Sequence, residues 1–431
     1  MSNKTKIILG WTVLIIINII PVIFWFFVEP ISFRFLNLNS TLTSFGQIFA
    51  LLGFSLFATA IILSARLKFL EQYFNGLNRI YIKHHIFGGL AFVLLLFHPL
   101  WLAAKYATYS SHSAALFLLP SFNNLAKTLG GLSLGLLIVL LIITFYSVLK
   151  YHLWKISHKF LALAYIFGFA HMFFIPSDVS RHSGLRAYLI GLSLIAFAAI
   201  IYRVVFPSAF VKKYNYTVSA VNKLSYDIIE VAMRSSGEKI SFKPGQFAFF
   251  GFDITGFDRQ PHPFSFTSVS GDETLKIAIK SLGDFTAVLG EKLKVGTSVK
   301  IEGPFGRFFI PAEKQIWLAG GIGVTPFISL MRNLPAYAKI DFYWSVVSEK
   351  DILWREEIEN IFLVNKNLRF FPHNSTIDGR LTAEIIKDKS QELEGKEIFI
   401  CGPPAMMRSL KKQLINLNVE KHHIHTEEFS L

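Results

Sequence analysis

Six apolar runs, at about residues 7–28, 42–65, 84–106, 125–149, 157–175 and 187–206, constrain this chain more than any other feature. Each is long enough to cross the hydrocarbon core of a bilayer as an α-helix. In lipid, helices and closed barrels are the spanning structures that satisfy every backbone polar group. From residue 208 onward such runs are missing, and the chain reads as ordinary soluble α/β sequence. At 431 residues and 52% hydrophobic, it is too long for one domain and too apolar for an all-soluble protein. Lysines precede the first run and no small-residue cleavage site follows it, so it reads as a retained helix and not a signal peptide.

Basic residues orient the spans. Lys4, Lys6, Arg66, Lys68, Arg79, Lys83, Lys150, Lys155, Lys159, Arg203, Lys212 and Lys213 fall on one side. Arg34, Lys105, Lys127, Arg181 and Arg186 fall on the other. The excess puts both termini in the cytoplasm of a multi-pass protein of the cell (plasma) membrane. Basic loops against anionic headgroups account for much of the net charge of +14. No compact basic patch interleaves with aromatics, so no nucleic acid is expected as a partner. One cysteine, Cys401, excludes an intrachain disulfide framework, a cysteine-ligated iron–sulfur cluster and a cysteine-built zinc site.

The third run carries His84 and His98, and the fifth carries His158 and His171. Ionisable groups inside a membrane are costly and by default functional, and neutral imidazole is an axial ligand of haem iron. Both runs point the same way, so His84 and His158 share the cytoplasmic level and His98 and His171 the outer one. At 1.5 Å per residue the first pair is ~21 Å apart along the helix and the second ~20 Å. His84 and His98 leave their helix on nearly the same face. His158 and His171 leave an ideal helix on opposite faces, so the fifth helix is either distorted or meets two haems from different sides. His85 competes with His84 as the inner ligand, and helical phase favours His84. His112 and His182 read as solvated loop residues.

The run His84-His85-Ile86-Phe87-Gly88-Gly89-Leu90-Ala91-Phe92, continuing to His98, resembles the third helix of the ferric reductase and NADPH oxidase superfamily. That family usually has a basic residue where this chain has His85. His158-Lys159 to His171 resembles its fifth helix. The resemblance implies two b-type haems, held by His84 with His158 and by His98 with His171. Gly88 and Gly89 would let a haem approach the backbone.

Residues 214–310 alternate short strands with Gly and Pro turns, the pattern of a small antiparallel barrel. Within it, Lys243-Pro244-Gly245-Gln246-Phe247 enters a strand, and His262-Pro263-Phe264-Ser265-Phe266-Thr267-Ser268 offers a ring and hydroxyls along an extended segment. Lys280 and the turn Gly283-Asp284-Phe285-Thr286 open a helix, whose first amides attract pyrophosphate. Singly, each piece also suits an ordinary strand or turn. Together, in this order, they resemble the FAD domain of the ferredoxin-reductase type. Arginine is common there in place of His262, and the NADPH oxidase branch has histidine.

From about 313, strands alternate with helices. A buried strand leads into Gly320-Gly321-Ile322-Gly323-Val324-Thr325-Pro326, and a second one ends in Cys401-Gly402-Pro403-Pro404. Glycines permit the tight turn, and Pro326 suits a first helical position. The pair resembles the nicotinamide domain of the same reductases, which implies a place near the hydride path for Cys401; a buried core thiol is the other reading. The terminal His425-Thr426-Glu427-Glu428-Phe429-Ser430-Leu431 resembles the family's last segment, which implies that Phe429 covers the flavin and moves aside for nicotinamide. Ser345 and Arg380 are candidates for contacts to the nucleotide, with NADPH and NADH both open.

The expected fold is therefore an all-α six-helix membrane bundle at 1–207, an antiparallel β-barrel FAD domain at 208–312 and an α/β NAD(P) domain at 313–431. The implied function is transmembrane electron transport from NAD(P)H through FAD and two haem b groups to an acceptor on the outer face. Dioxygen, giving superoxide, is the first choice. A ferric or cupric reductase is the second, with Arg181, His182 and Arg186 as a basic mouth for a metal chelate. A haem-bearing conduit without nicotinamide oxidation is the third, and the intact glycine and Cys-Gly-Pro turns argue against it. With no calcium loop or proline-rich ligand in the sequence, activity without an activating subunit is expected.

Overall fold

The apolar runs are helices in the computed structural model, which describes residues 3–119, 123–146, 149, 151–256, 260–308, 311–334 and 337–428. Six candidate spans are built from α1 (Asn3–Val28), α2 (Leu38–Ser64), α3 (Leu77–Ala107), α4 (Leu125–Tyr146), the pair α5 (Tyr151–Lys159) and α6 (Leu161–Phe174), and α7 (Ser183–Ile200). The start of α2 is fixed by Asn37, whose Oδ1 accepts from the Ser40 amide at 3.0 Å while Ser40 Oγ accepts from the Asn37 amide at 3.0 Å. Helix α2 lies along α3, and α4 along α6. Small residues set the first of these approaches. A Cβ on Gly53 would stand 2.8 Å from Leu95 Cγ, and one on Gly46 3.0 Å from Leu102 Cδ2.

The fifth span is not one helix. It breaks at Phe160, whose amide bonds the Ser157 carbonyl at 3.0 Å in a tight turn before α6 begins. The helix is thus interrupted between His158 and His171. Tyr165 ties the bundle together, stacking on Phe54 at 5.0 Å and donating to Ser193 Oγ at 2.9 Å. Arg34 is buried, and its charge is matched by Asp178 at 2.5 Å with Trp25 stacked 4.0 Å beneath.

The chain divides between Val211 and Lys212 into two units. The second begins with strands β1 (Tyr214–Lys223), β2 (Ile228–Ser235), β3 (Phe247–Phe252), β4 (His262–Ser265), β5 (Thr274–Lys280) and, after helix α8 (Asp284–Lys292), β6 (Ser298–Phe305). They pair antiparallel in the order β4-β3-β6-β1-β2-β5, and a bridge between Phe266 and Ile277 brings the two edges nearly to closure. Aromatics fill the interior: Phe242 stacks on Phe266 at 4.0 Å, with Phe250 and Phe252 buried beside them.

The remainder is a parallel sheet in the order β11-β10-β7-β8-β9. Its strands are β7 (Lys314–Gly320), β8 (Lys339–Val346), β9 (Leu368–Asn374), β10 (Glu397–Cys401) and β11 (Ile424–Glu427). Helices α9 (Thr325–Met331), α10 (Arg355–Val364), α11 (Ala383–Ser390) and α12 (Pro404–Asn416) connect them. Alternation within β7 and β10 sends Trp317 and Phe399 to one core and Ile316, Leu318, Ile398 and Ile400 to the other. Both faces are covered, which is why these strands read as unbroken apolar runs.

Candidate functional site

Of the four candidate ligands His84, His98, His158 and His171, three are anchored through Nδ1 to a carbonyl on a neighbouring helix. His84 donates to Ala60 O at 2.8 Å, His98 to Gly46 O at 2.8 Å and His171 to Ala126 O at 2.7 Å. A carbonyl only accepts, so Nδ1 carries the proton and the lone pair of a neutral ring sits on Nε2. That is the arrangement in which a protein offers histidine to a metal. His158 is held differently. Its Nδ1 lies 3.4 Å from Thr144 Oγ1, which itself donates to Leu140 O, and its ring stacks on Trp154 at 5.3 Å.

The rings of His84 and His158 have centroids 6.0 Å apart. Two imidazoles bound end to end to one metal, with metal–nitrogen bonds of about 2.0 Å, place their ring centres about 6 Å apart. The donor set therefore fits a bis-imidazole iron. His85 is exposed, with its ring 5.6 Å from that of His84. His98 and His171 lie within electrostatic range of each other at the other level. A Cβ on Gly88 or Gly89 would meet nothing within 4 Å, so that face of α3 has room. At Gly130, a residue not singled out from sequence, a Cβ would stand 2.8 Å from His171 Nδ1, so glycine is needed to seat that ring. Among the described residues no group of three or more His, Cys, Asp and Glu side chains gathers as a metal site.

Several basic residues that sequence assigned to the outer side have other engagements. His182 accepts from the Leu185 amide at 3.1 Å as the cap of α7, Arg186 lies over the Phe173 ring at 4.6 Å and Arg34 is buried with Asp178. Arg181, with Asp178 Oδ1 3.8 Å away, and Lys127 are exposed. His182 is thus a helix cap, where sequence suggested a solvated loop residue.

In the barrel, β4 sets Pro263 opposite Phe249 and His262 opposite Phe250. The hydroxyls of Ser265 and Thr267 are buried without a hydrogen-bond partner, as groups reserved for a ligand would be. Ser268 Oγ instead accepts from the Lys276 amide at 3.1 Å. The two segments picked from sequence meet: His262 and Phe285 stack with centroids 3.5 Å apart. Thr286 Oγ1 accepts from the Leu282 and Gly283 amides at 2.9 and 3.2 Å and so shapes the turn, while exposed Gly283 and Asp284 open α8. Lys280 pairs with Asp227 at 3.4 Å.

In the parallel sheet, the two glycine turns lie main chain against main chain. A Cβ on Gly323 would stand 2.4 Å from the Cys401 carbonyl oxygen, and one on Gly402 3.0 Å from Gly320 Cα. A Cβ on Gly320 would meet Met406 Sδ at 2.5 Å and Pro403 Cδ at 2.8 Å. Gly321 takes φ +52°, and its carbonyl receives the Trp344 indole N–H at 3.0 Å. Val324, Thr325 and Pro326 are buried at the start of α9. Cys401 is wholly buried, and burial, followed by the Glu427 carboxylate, pushes its thiol well above the usual range. Ser345 is half-buried at the end of β8, Arg380 is exposed, and Phe429 lies outside the described residues.

Comparison with known proteins divides the chain in three. Residues 49–169 match the ferric reductase like transmembrane component, residues 213–308 an FAD-binding domain and residues 317–412 an oxidoreductase NAD-binding domain. The glycine betaine monooxygenase reductase subunit of Chromohalobacter salexigens is 30% identical over 206 residues, which is 44% of this chain and 56% of that protein. The ferredoxin–NAD(P)(+) reductase component of the Pseudomonas putida naphthalene 1,2-dioxygenase system is 25% identical over 227 residues, 49% of this chain and 68% of that one. Among solved structures, flavohemoglobin from Malassezia yamatoensis with bound FAD and heme aligns at 19% identity and a TM-score of 0.49, covering 75% of this chain and 93% of its own.

Proposed function

From a chain with the three-part architecture of the ferric reductase and NADPH oxidase superfamily, we propose a transmembrane oxidoreductase that carries electrons from cytoplasmic NAD(P)H to dioxygen on the outer face, yielding superoxide. When bound, FAD supplies the exchange between a hydride donor and single electrons, and two haems supply the passage across the bilayer. His84 with His158 would hold the inner haem and His98 with His171 the outer one. The observation that carries this reading is the 6.0 Å separation of the His84 and His158 rings, with His84 already fixed to present Nε2.

The residues have separate tasks. Ser265 and Thr267 would bond the flavin with their unpartnered hydroxyls, and the amides opening α8 at Gly283 would face its pyrophosphate. The turn Gly320–Pro326 and its neighbour Cys401-Gly402-Pro403 would seat the nicotinamide nucleotide, with Cys401 beneath it and Phe429 over the flavin. Two histidines for each iron would leave no open coordination position for the acceptor. The engagements of His182, Arg186 and Arg34 favour dioxygen over a metal chelate, which needs a wider basic mouth.

Purified protein loaded with FAD and given NADPH without oxygen should show sharp b-type haem bands. Admission of air should then give reduction of cytochrome c that superoxide dismutase suppresses. Fast turnover on ferric chelates with little superoxide would make it a metalloreductase, and failure to oxidise either nicotinamide would leave a conduit. His84→Ala should cost the inner haem and His85→Ala should keep both; the reverse pattern in the haem spectrum would make His85 the ligand.

A further inference from the structure

Helix α9 opens in the glycine turn of the nicotinamide domain, and its far end grips the barrel segment Ser265–Ser268, which carries the unpartnered hydroxyls. Ser329 Oγ donates to Ser268 O at 3.1 Å. Arg332 closes the helix and donates from Nη1 to Thr267 O at 2.5 Å. Its other edge is taken by Glu357 of α10, with Nε to Oε1 at 2.6 Å and Nη2 to Oε2 at 2.7 Å. The Thr267 amide meanwhile donates to Lys276 O at 2.9 Å. The main chain of Thr267 is thus pinned on both sides while its hydroxyl stays uncommitted.

A guanidinium is a planar fork, so a two-point pair with a carboxylate fixes its orientation as well as its position. With that plane set by Glu357, an N–H of Nη1 is aimed at the Thr267 carbonyl. Every residue of α9 is buried, and a close-packed interior passes a displacement at one end to the turn at the other. From Val324 to Arg332 is about 12 Å of helix at 1.5 Å per residue. A shift at the clamp is therefore a shift between the two cofactor-binding segments.

We propose that Arg332, held by Glu357, is a positioning residue that sets the distance over which hydride passes from nicotinamide to flavin. The proposal rests on the reading that NAD(P)H reduces FAD in this protein. The clamp does not touch the reacting atoms. Its effect belongs to the hydride step and not to nucleotide affinity, because a misplacement of about 1 Å can cost up to about 100-fold in rate.

The test is anaerobic flavin bleaching by stopped flow in the full-length, FAD-loaded protein, with NADPH and with NADPH deuterated at the transferring position. Arg332→Gln should lower the limiting rate by about 10- to 100-fold, raise the deuterium isotope effect and leave the half-saturating NADPH concentration within a few-fold. Arg332→Lys keeps the charge without the fork and should not restore the rate. Glu357→Gln, which leaves Arg332 in place but frees its plane, should shift rate and isotope effect the same way by less, and it decides the matter if Arg332→Gln loses FAD or fails to fold. An unchanged limiting rate and isotope effect in the variants, or full rescue by lysine, overturns the clamp. If the wild-type flavin is reduced by neither nicotinamide, the underlying reading falls and the clamp with it.

Discussion

His98→Ala should yield a protein with one haem instead of two that still bleaches its flavin with NADPH but no longer reduces an external acceptor. His98 stands on α3 with Nδ1 committed to Gly46 O, which leaves Nε2 as its only free nitrogen. Alanine removes that donor and leaves His171, itself anchored to Ala126 O, without its proposed partner. Losing the hydrogen-bond partner of a ligating histidine alone costs about 10–100-fold in metal affinity, and losing the ligand itself exceeds that. Acceptor reduction should therefore fall by more than about 100-fold. Haem content by alkaline pyridine spectrum and flavin bleaching under argon separate the two halves of the claim. Loss of flavin reduction along with the haem would mean that His98 does not serve the acceptor side.

Gly323→Ala should abolish nicotinamide oxidation while haem content is kept. The added methyl would lie 2.4 Å from the Cys401 oxygen, 2.6 Å from its carbonyl carbon and 2.7 Å from Gly402 Cα. All three are backbone atoms, so no side chain can swing aside. Cys401 belongs to β10, which is paired with β7 on one side and β11 on the other, so the strand cannot retreat without breaking a ladder. Overpacking of this kind typically costs about 1–3 kcal/mol, and contact with backbone atoms on all three sides puts it at the upper end. Gly237→Ala is the control, because a Cβ there meets nothing within 4 Å. Thermal unfolding followed beside NADPH oxidation reads the result. A Gly323→Ala protein with wild-type turnover would show that the two turns separate easily.

What could be read from the chain and what could not divide on physical grounds. Length and hydropathy reveal the spans, because lipid imposes one requirement on every residue of a span. The ends are less legible: α3 begins at Leu77, before the apolar stretch that marks it, because a helix continues into the headgroup region where polar residues are welcome. The depth of the histidines follows from the rise per residue. The break at Phe160 does not, because neither Pro nor Gly stands there to signal it. The acceptors that fix three of the rings are main-chain carbonyls of Ala60, Gly46 and Ala126, whose side chains say nothing of the role. The glycine turns were visible singly, and their contact explains why both need glycine. Arg332 and Glu357 left no local signal, since their meaning lies in reaching a carbonyl 65 residues away in the chain.

The turn at Phe160 bears on the lipid as well as on the rings. A continuous helix facing a bilayer too thin or too thick responds by tilting, and every group along it moves together. Here His158 rides on α5 and His171 on α6, two short rods joined at a bend. A tilt of one rod can be absorbed at the bend before it reaches the other. The two histidine levels thus stand on separate helices, and a change in membrane thickness at one face need not be felt at the other.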